Sequence, residues 1–228
     1  KIKNKFDISI SKSILYNILK KSNINRKKIY YRYIPTNREK RKQQIQNFIN
    51  KVKSIPINNI ISIDETSIDT HINPNYGWGL SGKRITVKNK TARKRYTVIC
   101  AINNQGIVHT QIINNSANGE NFINFINQVI NKFPNNDNKQ YLLMDNARIH
   151  HYKKFKENMK TIPNIELLYN VPYSPEYNPI EYVFNEAKQI IRGKIWDARN
   201  IIDQINIAFN KISKINIHKY FLKSLTFD

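Results

Sequence analysis

From Ile57 onward the hydrophobic period switches repeatedly between that of a strand and that of a helix, and this alternation restricts the fold more than any single residue does. Short runs at Ile60–Asp64, Arg84–Lys88, Arg95–Ile102 and Gly106–Ile113 read as strands, with a turn at Asn103-Asn-Gln-Gly106. Gly119–Phe133 then sets Phe122, Phe125, Ile126, Val129, Ile130 and Phe133 on one helical face, and Pro134 ends it. A strand over Lys139–Asp145, a short helix over His151–Thr161 and a strand over Ile165–Tyr169 follow. Pro179–Gly193 predicts a helix with Ile180, Val183, Phe184, Ala187, Ile190 and Ile191 inward, and a last helix is expected over roughly Ala198–Ile212. The order βββαβαβα predicts an α/β domain: a mixed five-stranded sheet flanked by helices, three of its strands antiparallel.

That order is the one of a ribonuclease-H-like domain, in which the first and fourth strands are neighbours at the sheet centre. Asp64, closing Ile60-Ile61-Ser62-Ile63, and Asp145, closing Tyr141-Leu142-Leu143-Met144, should then end adjacent strands. Glu181, 36 positions after Asp145, follows near the start of a helix. A carboxylate at the end of a buried strand is costly to desolvate unless a positive group meets it, and a divalent cation suits several converging acids. Phosphodiester cleavage needs a deprotonated nucleophile, a neutralised leaving oxygen and a stabilised phosphorane, and two Mg²⁺ or Mn²⁺ ions roughly 4 Å apart provide all three. Asp64, Asp145 and Glu181 are the expected catalytic and metal-holding residues.

Composition supports a polyanionic partner. The chain has 228 residues, 40% hydrophobic, enough for a sizeable core, and carries 38 Lys and Arg against 16 Asp and Glu for a net charge of +22. Residues 1–53 hold sixteen of those basic residues against only Asp7 and Glu39, so the acids concentrate where chemistry is expected. The one cysteine, Cys100, rules out an internal disulfide framework. No apolar run is long enough to span a membrane and the basic N-terminus lacks a signal peptide's apolar stretch, so a soluble intracellular protein is expected, in a nucleus or a bacterial cytoplasm. The first residue is Lys1 rather than Met, and the natural N-terminus is expected upstream.

The basic N-terminal region divides in two. Ser11–Lys20 sets Ile14, Leu15, Ile18 and Leu19 on one helical face, with Ser11 or Ser13 as cap and Lys12, Tyr16 and Asn17 outward. It reads either as the recognition helix of a helix-turn-helix whose first helix is missing or as a short amphipathic surface helix. Asn25–Lys42 interleaves Arg26, Lys27, Lys28, Arg32, Arg38, Lys40, Arg41 and Lys42 with Tyr30, Tyr31 and Tyr33, suiting a linker along phosphates, though its second half also reads as a solvated basic helix from about 37 to 53. The expected organisation is a partial helix-turn-helix over 1–24, a basic linker and helix over 25–55, and a catalytic domain with C-terminal helices over 56–228. A second basic ribbon, Lys83, Arg84, Lys88, Lys90, Arg93, Lys94 and Arg95, faces no acid in the sequence reading and is expected on DNA phosphates near the site. Gly77-Trp-Gly-Leu-Ser-Gly82-Lys83 has a phosphate-loop spacing, but Arg84 stands where a Ser or Thr would hold Mg²⁺ and no apolar strand precedes it, so no nucleotide cofactor is expected.

Ile63-Asp64-Glu65-Thr66, Tyr76-Gly77-Trp78-Gly79 with Gly82-Lys83-Arg84, Leu143-Met-Asp145-Asn146-Ala147-Arg148-Ile149-His150 and above all Pro172-Tyr-Ser-Pro-Glu-Tyr-Asn-Pro-Ile-Glu181 resemble the IS630/Tc1/mariner superfamily of DDE transposases. The resemblance spans about residues 4–195; the upstream DNA-binding region is absent. It implies Asp64, Asp145 and Glu181 as the acidic triad, cut-and-paste mobilisation through terminal inverted repeats of double-stranded DNA, insertion at a TA dinucleotide, and a homodimer. Two alternatives stay open: a related nuclease without strand transfer, and a transposase-derived DNA-binding protein without catalysis. His150 either orients the scissile phosphate or a metal-bound water, or else caps the following helix or packs beside Tyr152; His151 is a weaker candidate. Asn146 either holds Asp145 from behind or is ordinary turn chemistry. Glu65 and Asp69 read as spare, solvated acids.

Overall fold

The computed structural model describes residues 11–24, 38–72, 93–133, 138–147, 150, 152–193 and 201–227. The chain divides into two compact units, Lys1–Thr36 and Asn37–Asp228.

In the first unit, α1 (Lys12–Lys21) begins at Ser11, whose extended backbone and hydroxyl accepting from the Ile14 amide form an N-cap. Lys20 and Lys21 meet the negative end of the helix dipole, and Asn23 closes the helix in the left-handed region at φ 56°. Ile14, Leu15, Ile18 and Leu19 form the expected stripe, but all four are exposed.

The second unit is a sheet of order β3-β2-β1-β4-β5: β1 (Ile60–Asp69), β2 (Arg95–Asn103), β3 (Gly106–Asn114), β4 (Gln140–Met144) and β5 (Ile165–Tyr169). The β1–β2 and β2–β3 pairs are antiparallel, the β1–β4 and β4–β5 pairs parallel. Helices cover both faces, so the central strands read as continuous apolar runs. On one face α2 (Arg38–Lys53), α5 (Ile180–Arg192), α6 (Ile201–Lys211) and α7 (Lys214–Leu225) enclose Ile60, Ile68, Cys100 and Leu143. On the other, α3 (Gly119–Ile130) and α4 (Lys153–Lys160) enclose Ile61, Ile63, Leu142 and Met144. Phe122, Phe125 and Phe155, each fully buried, fill the second layer.

Several expectations need correction. β1 does not stop at Asp64; it runs on to Asp69, because β2 pairs with it throughout from Ile61↔Asn103 to Asp69↔Arg95 and Thr66 and Ile68 are buried. The helix expected to Phe133 ends at Ile130, since the Lys132 and Phe133 amides turn to the carbonyls of Val129 and Ile130. α4 starts at Lys153, after Tyr152 as N-cap, rather than at His151. α2 matches the basic helix expected from about 37 to 53, but it is not solvated all round: it is packed into the sheet unit through buried Phe48 and Val52. α7, capped by Ser213, had no counterpart in the sequence reading. The expected strand at Arg84–Lys88 lies outside the described residues.

Candidate active site

The three acids come from three elements. Parallel pairing of β1 with β4 has an offset of 81, from Ile60↔Tyr141 to Ser62↔Leu143. Two residues further on, the same offset aligns Asp64 with Asp145, just past the end of β4. Glu181 is in the first turn of α5, whose start is set by Pro179.

Asp64 is 8% exposed, on the face covered by α5. Its Oδ1 accepts from the Glu65 amide at 2.8 Å and its Oδ2 from the side-chain amide of Asn178 at 3.1 Å. Asn178, itself buried, accepts from Ser62 Oγ at 2.6 Å, so Ser62 and Asp64 of β1 are both tied to the loop before α5. Burial, with the charges of Glu65, Asp145 and Glu181 added, pushes the Asp64 carboxyl well above the usual range despite the Glu65 amide.

Asp145 is held differently, with its side chain 48% exposed. Its Oδ1 accepts from the Ala147 amide at 2.8 Å and lies 2.8 Å from His150 Nδ1. His150 is fully buried and tilted against Phe122 at 4.7 Å; its Nδ1 is also 3.1 Å from the Asp145 carbonyl oxygen and its Nε2 is 3.2 Å from Glu65 Oε1. Burial lowers the imidazole's pKa, but the hydrogen bonds to Asp145 and Glu65 and their charges outweigh it and raise it to about 10. The ring thus bridges two carboxylates, Asp145 at Nδ1 and Glu65 at Nε2. Glu65, read from sequence as solvated, is only 16% exposed at its side chain and serves this bridge.

Glu181 lies at the exposed rim of the site, yet desolvation and Asp145 raise its carboxyl, against a lowering by Lys188. Lys188, two turns along α5, is itself lowered by desolvation and Arg192 and raised by Glu181 and Asp64. A cavity of about 390 Å³ is lined by Asp145, Asn146, Asn170, Ser174, Asn178 and Glu181 among others. Asn146 donates to the Asn170 carbonyl, which fixes the turn after β4. Among the described residues no three His, Cys, Asp or Glu side chains form a closed metal-binding group. The donors nevertheless fit a hard divalent cation, since they are carboxylate oxygens and burial, with the charges of neighbouring acids added, leaves Asp64 and Glu181 with raised pKa values.

A family model described as DDE superfamily endonuclease matches residues 59–202, a span that holds all three acids. The chain belongs to this family. No curated protein matches the DDE endonuclease chain in sequence. In fold it is similar to "Crystal structure of the Mos1 mariner paired end complex with Mn", with a TM-score of 0.75 at 16% identity, covering 98% of this chain and 73% of that one. The "Mos1 Strand Transfer Complex" gives a TM-score of 0.73 at 15% identity over the same shares. The "catalytic domain of Mos1 mariner transposase" gives a TM-score of 0.65 at 14% identity, covering 86% of this chain and 93% of that one. At such identities the likeness is one of fold, and it includes the expected ribonuclease-H-like sheet.

The remaining predicted residues of the DDE endonuclease scatter. Lys12, Tyr16 and Asn17 are exposed on α1. Arg93, expected to face no acid, forks onto Asp69 through Nε at 3.3 Å and Nη2 at 2.7 Å, and draws the Asp69 carboxyl down against the effect of burial. Lys94 and Arg95 are exposed beside it. Arg26, Lys27, Lys28, Arg32, Lys83, Arg84, Lys88 and His151 lie outside the described residues, as does the Gly77–Lys83 loop. Asn178 and Ser62 were missed; a hydroxyl inside Ile60-Ile61-Ser62-Ile63 was the available signal, because a buried hydroxyl needs a partner.

Proposed function

We propose that this DDE endonuclease is a cut-and-paste DNA transposase of the Tc1/mariner type, with Asp64, Asp145 and Glu181 as its catalytic acids. The observation carrying the reading is that the β1–β4 register brings buried Asp64 level with Asp145, which lines one cavity together with Glu181. Asp64, Asp145 and Glu181 would hold two Mg²⁺ or Mn²⁺ ions, which when bound would neutralise the phosphate and lower the pKa of a water nucleophile. The Mos1 structures similar in fold include complexes with Mn and with Mg, which supports a divalent cofactor.

Each side chain has a distinct task. Asn178, which itself lines the cavity, holds one Asp64 oxygen, and His150 with Glu65 fixes the orientation of Asp145. Lys188 offers its ammonium to a phosphate next to Glu181. Lys12, Tyr16 and Asn17 of α1, with Arg26, Lys27, Lys28 and Arg32 after it, contact the terminal inverted repeats. Lys83, Arg84, Lys88, Lys94 and Arg95, together with Arg93, follow the DNA backbone near the cut. Strand transfer then joins the freed 3′-hydroxyl to target DNA at TA, inside the cell and within a homodimer; the Mos1 structures similar in fold include a paired-end and a strand-transfer complex, which supports the pairing and joining steps.

The test incubates the chain with labelled terminal-repeat DNA and a target plasmid. Mg²⁺-dependent nicking and joined products are expected, both abolished by chelator and by Asp64→Asn. Cutting that persists in Asp64→Asn overturns the site, and cutting without joined products reduces the reading to a nuclease.

A further inference from the structure

One side chain of α2 reaches 131 residues along the sequence to the loop between β5 and α5. Arg41 Nη1 donates to the Pro172 carbonyl at 2.8 Å, and Nη2 donates to the Tyr173 carbonyl at 3.3 Å and to Ser174 Oγ at 2.8 Å. The loop it grips has a backbone that ordinary residues seldom hold unaided, with Tyr173 in the left-handed region at φ 56°. From Ser174 the connections run straight into the site. Asn170 Nδ2 donates to the Ser174 carbonyl at 2.7 Å, and that carbonyl also receives the Tyr177 amide at 3.3 Å. The next residue is Asn178, which holds Asp64, and the Glu181 amide donates to the Asn178 carbonyl at 3.2 Å.

We propose that Arg41 is a positioning residue that clamps the Pro172–Ser174 loop and so sets Asn178 and Glu181 against Asp64, and that it is not one of the basic side chains lying on phosphate. The inference rests on the chain being a DNA-cutting enzyme. The guanidinium geometry decides between the two roles. A planar fork spreads three hydrogen bonds over two carbonyls and a hydroxyl, whereas a lysine ammonium offers a point charge that serves a phosphate as well as arginine does but cannot span those acceptors. α2 begins one residue into the second unit, so the clamp joins the site to the end of the helix nearest the basic segment in sequence.

The experiment compares wild type, R41A and R41K in the full chain, each shown to melt cooperatively; R41K keeps the stem and the charge and serves if R41A does not fold. Single-turnover cleavage of end DNA should fall on the order of 10²-fold in both variants. The salt dependence of DNA binding in chelator should not change. Amide hydrogen exchange at Tyr177 and Asn178, measured without DNA, should speed up at least tenfold. Wild-type cleavage in R41K, or a salt slope reduced by about 0.9 as for one lost phosphate contact, overturns the proposal. If wild type itself cuts no DNA, the transposase reading falls, and unchanged exchange in both variants then separately overturns the clamp.

Discussion

Asp64 and Asp145 stand on equivalent rungs of neighbouring strands, yet their surroundings are opposite. Asp64 is buried among like charges and receives only neutral donors, from Glu65 and Asn178. Asp145 is half open to solvent but rests on an imidazole that is itself completely buried. One acid is poised at an energetic cost to the fold, and the other, with Glu65, raises the pKa of a buried imidazole. The comparison separates two tasks within the proposed acidic triad: creating a site hungry for positive charge, and keeping one carboxylate at a fixed angle.

The largest test leaves the two alike. Asp64→Asn and Asp145→Asn should each reduce cleavage at least roughly 10³-fold, the scale on which catalytic groups act, with end binding in chelator retained. Next, Asn178→Ala and His150→Ala should each cost about 10- to 100-fold in metal-dependent cleavage, because they remove what orients a ligand. If only His150→Ala matters, the Asn178 contact is packing alone.

Stability should then separate the aspartates. Asp145→Asn leaves His150 short of a charged partner and should destabilise the metal-free chain by about 1–3 kcal/mol. Asp64→Asn relieves repulsion and should raise the melting temperature; in a chain of this size each kcal/mol is roughly 2–4 °C. A divalent cation should reverse that order by raising the wild-type melting temperature more than that of Asp64→Asn. A melting temperature lowered by Asp64→Asn would show that its hydrogen bonds outweigh its charge.

The smallest effects concern pH. The raised Asp64 pKa means the fold prefers the neutral acid, so wild type loses stability as pH climbs from the ordinary carboxylate range through the raised value, and Asp64→Asn does not. His150 has the opposite consequence. Its folded value of about 10 exceeds the ordinary 6.5, so its contribution is complete below about pH 6.5 and disappears as pH rises toward 10. The stability gap between wild type and His150→Gln, read from denaturant titrations, should therefore narrow over that interval. A constant gap would mean that the imidazole is neutral throughout.

Much of the sheet was legible because its runs are short, strongly apolar and punctuated, as at Asn103-Asn-Gln-Gly106 and Ile165–Tyr169. The acids were legible for a related reason: a charge directly after Ile60–Ile63 or Leu142–Met144 has no apolar explanation. The helix over 214–225 escaped because Lys214, Asn216, Lys219 and Lys223 break up the apolar positions that bury Ile217, Phe221 and Leu225. The braces escaped for a different reason. Glu65–His150 spans 85 residues and Arg41–Pro172 spans 131, and no local period reports a side-chain pair whose separation is set only by tertiary folding. α1 shows the converse limit, since its apolar stripe was read correctly and still names no surface to cover it.

The offset of 81 between β1 and β4 also sets what this chain tolerates in length. Residues 104–105, at the β2–β3 turn, can be lengthened without moving an acid, because the ladder and not the count fixes where Asp64 and Asp145 meet. One residue inserted between Tyr141 and Asp145 is another matter: alternate side chains of a strand point to opposite faces, so the carboxylate would turn away from its partner and the buried side chains of β4 beyond the insertion would exchange layers.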